Sequence, residues 1–368
     1  MEDKATVVIG GGVIGLLTAW YLVASGRSVV VVEKGQVGQE SSWAGGGILF
    51  PLYPDRYPVL APLVMQSCAE YPRIVSKATQ CSGIDPQWIQ SGLLLLDELA
   101  TSNDSDLSLS GKAIDGTTLM HLEPGLARDR AVRARYYPAA QVRNPRLLSA
   151  LQRTLLTMGV IFRESCEVTG FQHERGRLTG LHTSTGPLGA GSCVVATGAW
   201  SGQVLGRTGL ALPIKPIRGQ MIVFAPQAGL ISHILVQNYR YLIPRSDGRI
   251  LVGSTVEDVG FDKHTTDEAC SALFQWATEL VPALARARIE HHWAGLRPGS
   301  PDDTPFIGEH PAIKGLFVCA GHHRNGFATG PASARLVSDL LLGREPTLDA
   351  SPFRLNRDCP DWPVSVQN

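Results

Sequence analysis

Two short apolar runs bracket the start of the chain. Ala5-Thr6-Val7-Val8-Ile9 runs into Gly10-Gly11-Gly12, and Val29–Val32 runs into Glu33. Apolar runs of this length without polar alternation predict strands buried on both faces, as in a parallel sheet. Between them, after the glycine turn Gly10–Gly15, the chain carries a helical pattern. The order is therefore strand, glycine turn, helix, and a second strand ending on a carboxylate.

Further along, the pattern changes character several times. Gly35–Glu40 reads as a polar connection, and Ser41–Gly47 is too rich in glycine to predict a regular element. Pro51, Pro54, Pro58 and Pro62 keep the chain irregular until about Leu63. Leu63–Thr79 then predicts a helix that Pro72 should begin or kink, since a ring nitrogen carries no donor. Thr101–Gly111 is serine-rich and predicts an exposed loop. Leu147, Leu148, Leu151 and Leu155 recur at helical spacing, so Arg146–Met158 predicts a helix stopped by Gly159. Val160–Phe162, Cys166–Phe171 and Leu178–Thr183 read as short strands of one meander, and Ser192–Ala196 as a buried strand opening onto Thr197-Gly198-Ala199.

Between about Pro213 and Trp293 the signals are those of an antiparallel sheet. Arg218–Phe224 alternates, and Tyr239–Pro244 and Arg249–Ser254 flank the turn Ser246-Asp247-Gly248. Thr266–Leu280 predicts a covering helix. Leu316–Ala320, the loop Gly321–Gly326 and the helix Phe327–Leu342 return to the style of the first unit. The fold class expected is thus α/β, with a Rossmann-like nucleotide domain and an inserted domain of antiparallel sheet plus helix. We divide it as 1–84, 143–214 and 296–346 for the nucleotide domain, 85–142 and 215–295 for the inserted one, and 347–368 for a tail.

Composition narrows the partners. Over 368 residues, 33 Lys and Arg balance 33 Asp and Glu, which speaks against nucleic acid as a partner. Seven cysteines without a CxxC pair argue against a zinc site or a disulfide framework and suit a reducing cytoplasm. The uncharged segment Ala5–Gly26 is long enough to span a bilayer, but its glycines split it into strand and helix. Glu2 and Asp3 sit where a signal peptide wants positive charge. A soluble protein without membrane association is expected, and self-association into a homo-oligomer with it.

The glycine turn carries the first chemistry. Gly10 permits the turn, Gly12 lets backbone N–H groups approach a pyrophosphate, and Gly15 lets the helix lie close on the sheet. Val13 and Ile14, in the same turn, count with the cofactor residues, and the N-terminus of the following helix faces that anion. Glu33, about twenty residues on, is placed to accept ribose hydroxyls, with Lys34 beside it. The pattern continues through Ala19, Leu22, Gly26 and Val29, the extended form that favours FAD over NAD(P), and no second GxGxxG suggests a separate nicotinamide domain.

Six segments in order then carry a resemblance. They are Gly10–Glu33, Ser41–Gly47, Ala196–Ser201, Tyr241–Arg245, Ala294–Pro298 and Gly321–Gly326. On them the chain resembles the D-amino acid oxidase superfamily of flavoproteins, and within it the glycine oxidases. The resemblance implies FAD as cofactor, a small amino acid as substrate, hydride transfer to the flavin, and O2 reduced to H2O2. It also implies an imine product that could serve thiazole formation in thiamine biosynthesis, with thiazole synthase as a partner. A dehydrogenase using a quinone or carrier protein, and a non-catalytic flavin redox sensor, stay open as alternatives.

Residue by residue, the resemblance puts Arg297 on the substrate carboxylate. The chemistry agrees, because a planar guanidinium grips a carboxylate in two places. Arg324 and Tyr241 are the further catalytic-site candidates, for the carboxylate or for positioning. The cofactor candidates beyond the first turn are Ser41, Ser42, Gly46, Gly47, Ile48, Val168, Thr197, Gly198, His322, His323, Arg324, Asn325, Gly326, Phe327 and Ala328. Period-two alternation puts Tyr239 and Tyr241 on one face. The neighbouring pairs His291, His292 and His322, His323 point to opposite sides of an extended chain, so no metal is assigned. Some sarcosine-oxidising cousins hold their flavin on a cysteine; His292–Arg297 has none, and noncovalent FAD is expected. Val256, small and apolar, leaves the choice among glycine, sarcosine and small D-amino acids open.

Overall fold

A computed structural model describes residues 5–53, 57–96, 111–129, 133–225, 227 and 229–362. The first apolar runs do form strands, Thr6–Ile9 and Val29–Val32, with the helix Val13–Ala24 between them. They lie side by side in parallel in a six-stranded sheet. Its order is Phe306–Glu309, Leu316–Ala320, Ser192–Val195, Thr6–Ile9, Val29–Val32, Ile161–Arg163. All pairs are parallel except that of the first two named. The helices Val13–Ala24, Ala61–Ser82, Asn144–Thr157 and Gly326–Leu341 pack together on this side of the molecule, burying Leu16, Leu17, Tyr71, Ile74, Leu147 and Leu151. No helix among the described residues is long and apolar enough to cross a membrane.

The second sheet has eight strands: Ile289–Gly299, Lys215–Phe224, Ile250–Gly253, Arg240–Pro244, Ile234–Gln237, Leu93–Leu95, Arg133–Tyr137 and Lys112–Asp115. Every neighbouring pair is antiparallel except Ile234–Gln237 with Leu93–Leu95. The helix Asp267–Leu280 covers it, capped at its start by the Thr266 hydroxyl.

Five expectations need correction. Pro72 neither begins nor visibly ends a helix: it sits inside Ala61–Ser82. Its missing donor costs about 3 kcal/mol in an isolated helix. Leu63, Val64 and Ser67 before it and Tyr71, Ile74 and Ala78 around and after it are buried, so packing carries the helix through. Ser41–Ala44 is a single helical turn rather than irregular chain, and only Gly45–Gly47 stays open. Ile161–Arg163 leaves the expected meander and joins Val29–Val32 in parallel; the meander is Val168–Glu174, Arg177–Thr183 and Gly186–Gly189. Tyr239 is not a strand residue. Asn238 and Tyr239 have φ of 50° and 62°, the two-residue turn that closes the hairpin Ile234–Gln237 with Arg240–Pro244. Finally, the strand Ile289–Gly299 runs through the boundary drawn at 295/296. The serine-rich loop Thr101–Gly111 lies, but for Gly111, outside the described residues.

Candidate functional site

A cavity of about 390 Å³ opens where the two sheets meet. Its nucleotide end is made by the first strand and helix. Gly10 turns the chain with φ of 108°. A Cβ on Gly15 would stand 1.9 Å from the Gly10 carbonyl, so the helix can begin this close to the sheet only with glycine there. Gly12 caps the helix Val13–Ala24 without a side-chain partner. Ser42 reaches in from the next segment, its hydroxyl accepting from Val13 N at 2.9 Å. Glu33 holds the turn from below: its two oxygens accept from Gly11 N at 2.8 Å and Gly35 N at 3.0 Å. It still lines the cavity and keeps acceptor capacity for hydroxyls. Lys34 lies 3.3 Å over the Trp200 ring, and burial lowers its pKa below the usual lysine range.

The glycine segment after Ser41–Ala44 is gripped from behind. Asn144 donates to the carbonyls of Ser42, Trp43 and Gly45. Arg245 donates to Gly46 O at 2.8 Å, Val142 O at 3.0 Å and Gln141 Oε1 at 2.8 Å. Burial brings its guanidinium down to about 10. Ser41 donates to Leu296 O, fastening this segment to the strand of the other sheet. Gly46 packs against Tyr241 and Ile243, where a Cβ would come within 3.2 Å and 3.0 Å.

The other end of the cavity carries charge. Arg297 projects from the strand Ile289–Gly299, and no carboxylate pairs with it among the described residues. Its Nη1 donates to Arg218 O at 3.3 Å and Thr255 O at 3.2 Å, its Nη2 to Ser254 Oγ at 2.5 Å. Burial, then the neighbouring Arg324, brings the guanidinium down to about 10, against the pull of Tyr241. It is therefore charged at neutral pH. Arg324 donates to Tyr239 O at 3.4 Å and stands 5.3 Å from the Tyr239 ring, likewise without an acidic partner among the described residues. Tyr241 is buried, its hydroxyl donating to Met221 Sδ at 3.6 Å.

The closing loop joins the two ends. His323 N donates to Pro298 O at 2.9 Å, tying the loop to the residue after Arg297. Its ring pairs with Asp303 through Nδ1, though burial dominates and keeps the imidazole below its ordinary pKa. Burial pushes His322 down to about 3, so it stays neutral. Asn325 begins the helix Gly326–Leu341, again without a side-chain cap.

Nearly all the expected residues meet here. The cavity is walled by Gly10, Gly12, Val13, Ile14, Glu33, Lys34, Ser41, Ser42, Gly46, Gly47, Ile48, Val168, Thr197, Gly198 and His322 through Phe327, with Arg297 and Tyr241. Gly15 and Ala328 are not in the wall; each lies one layer behind it. Sequence reasoning missed Ser254, Gly219, Met221, Asn144 and the grip of Arg245. Arg245 stood within a motif already singled out, but none of the others bears a local signal.

This wall fits FAD. Two helix N-termini, at Gly12 and Asn325, open on one cavity; neither N-cap residue caps its own helix, and apart from Val13 N, taken by Ser42, their N–H groups can meet an anion. The buried Asn325 Nδ2 has no hydrogen-bond partner among the described residues. Glu33 waits as an acceptor where hydroxyls belong.

Comparison with known proteins agrees. The DAO family, FAD dependent oxidoreductase, matches residues 5–340. The chain is 44% identical to the glycine oxidase of Pseudomonas putida over 361 residues, 95% of this chain and 98% of that one. It is 33% identical to the bifunctional protein ThiO/ThiG of Synechocystis over 92% of this chain but 52% of that protein. The crystal structure of glycine oxidase from Geobacillus kaustophilus matches with a TM-score of 0.90 at 29% identity, covering 98% of this chain and 100% of that one.

Proposed function

The chain belongs to the DAO family of FAD-dependent oxidoreductases, and on that premise we propose that it oxidises glycine and other small amines and amino acids, sarcosine and small D-amino acids among them. The observation that carries this reading is Arg297: a charged guanidinium without an acidic partner among the described residues, in the same cavity as the two open helix ends. Bound FAD supplies two-electron oxidation of a C–H beside an amine. The protein's share is placement. Arg297 receives the carboxylate and, with Arg324 nearby, fixes which end of the substrate enters first. Tyr241 closes one side, and its phenol can share the carboxylate. His322, neutral and buried, adds no charge to the cavity wall.

O2 is the acceptor in this reading, with imine and H2O2 as products, and FAD is held noncovalently. The similarity to glycine oxidases and to a bifunctional ThiO/ThiG protein supports an imine that serves thiazole formation alongside a thiazole synthase. Seven free cysteines support a cytoplasmic setting. Glycine added without oxygen should bleach the yellow protein, and air should restore the colour with release of peroxide. A flavin that glycine, sarcosine and D-alanine all leave unbleached refutes the activity.

A further inference from the structure

Gly219 lies inside the strand Lys215–Phe224, directly opposite Gly295 in the antiparallel register. Its backbone does not call for glycine, since its φ is not among the positive ones. A strand interior is weakened by glycine, so close approach is the remaining physical reason for it. What approaches is Arg297. A Cβ on Gly219 would stand 2.1 Å from Arg297 Nη2 and 2.4 Å from both Cζ and Nη1. The guanidinium therefore fills the space that a side chain on Gly219 would need.

We propose that Gly219 is the seat that orients Arg297, and that it sets the preference for substrates bearing a carboxylate. This rests on the reading of Arg297 as the carboxylate anchor. Two of the residues that supply the acceptors behind the guanidinium, Thr255 and Arg218, are themselves tied by further bonds. Thr255, whose carbonyl takes Nη1, is tied through its hydroxyl to Gln220 N at 2.8 Å. Arg218, whose carbonyl takes the same atom, is held by Glu257 and by Asp262 at 2.6 Å. Gln220 Nε2 donates to Glu257 at 3.0 Å. With three of five N–H groups already bonded to Arg218, Thr255 and Ser254, a guanidinium lifted off Gly219 loses the geometry of these bonds.

Gly295 makes the matching space for a different neighbour. Its Cβ would stand 2.4 Å from the Cβ of Ala44, in the helical turn Ser41–Ala44 beside the nucleotide end. One glycine of the pair thus seats the arginine, the other the cofactor segment. An added methyl at Gly219 meets the tip of a flexible side chain rather than backbone, so the displacement falls on Arg297 while the sheet stays intact.

The test uses the FAD-loaded enzyme, with glycine, glycine methyl ester and glycolate as probes. The ester keeps the amine and the α-C–H but lacks the carboxylate; glycolate keeps the carboxylate and reports binding through the flavin spectrum. In Gly219→Ala, half-saturation by glycine and the dissociation constant of glycolate should each rise about a hundredfold, with the ester unchanged and FAD retained. Equal losses for glycine and ester, or no loss for either, overturn the proposal. Arg297→Ala separates the two levels. If wild type prefers glycine to the ester and Arg297→Ala removes that preference while Gly219→Ala keeps it, Gly219 alone is wrong. If wild type shows no preference and Arg297→Ala changes neither probe, the anchor itself is wrong and this proposal falls with it.

Discussion

The two ends of the cavity are built by opposite means. The nucleotide end is built from backbone: a glycine turn, two open helix ends and the carboxylate of Glu33 holding the turn. The end proposed for the substrate is built from side chains, Arg297, Arg324, Tyr241 and Ser254, carried mainly by the eight-stranded sheet and the closing loop. Backbone donors recognise what cofactors share, a diphosphate and hydroxyls. On the proposed reading, side chains at defined places recognise what distinguishes one small acid from another. Changes at one end should therefore leave the other intact.

The largest effect is expected from Gly15→Ala. Its Cβ would fall 1.9 Å from a backbone oxygen that cannot move aside. Destabilisation of about 3 kcal/mol and a colourless protein should follow; a yellow variant with an unchanged melting temperature would show the packing at Gly15 to be looser than described. Next comes Arg297→Ala. Glycine binding should weaken by about 3 kcal/mol, over about a hundredfold, with the FAD spectrum retained. An unchanged glycine titration would remove Arg297 from the site and end the contrast between the two halves.

A pH titration sharpens the same contrast. The Arg297 guanidinium is charged below its pKa of about 10 and neutral above it. Glycolate affinity should therefore be level from neutral pH up to that value and fall as pH rises through it, while FAD stays bound through neutral backbone donors. Flat affinity to well above pH 10 would contradict it. The smallest effect is expected from Tyr241→Phe, a loss of about tenfold or less in glycine affinity, since only a hydroxyl is removed. A loss as large as that of Arg297→Ala would make the phenol, not the guanidinium, the principal anchor.

The legibility of the two ends differs for the same reason. Gly10, Gly12, Gly15 and Glu33 lie within one strand–helix–strand unit, so their spacing alone brings them together. Arg297 could be named from a short motif, but its freedom from any acidic partner among the described residues could not. That depends on residues as distant as Arg218, Ser254 and Thr255. Tyr239 reads as a strand residue because hairpin turns with two positive φ angles usually announce themselves with Gly or Asn at both places, and here only Asn238 does. Pro72 was misjudged because local rules price its lost hydrogen bond without the apolar face around it.

By itself, then, the sequence determined the nucleotide turn, the buried parallel strands and the order of the motifs, because these rest on contacts within a few tens of residues. Only the tertiary structure decided which carbonyls hold Arg297, why Gly219 and Gly295 face each other, and how Arg245 and Asn144 grip the glycine segment. Those are pairings between strands and loops far apart in the chain. No local pattern encodes them, because the partner that makes each residue meaningful arrives only when the two sheets meet.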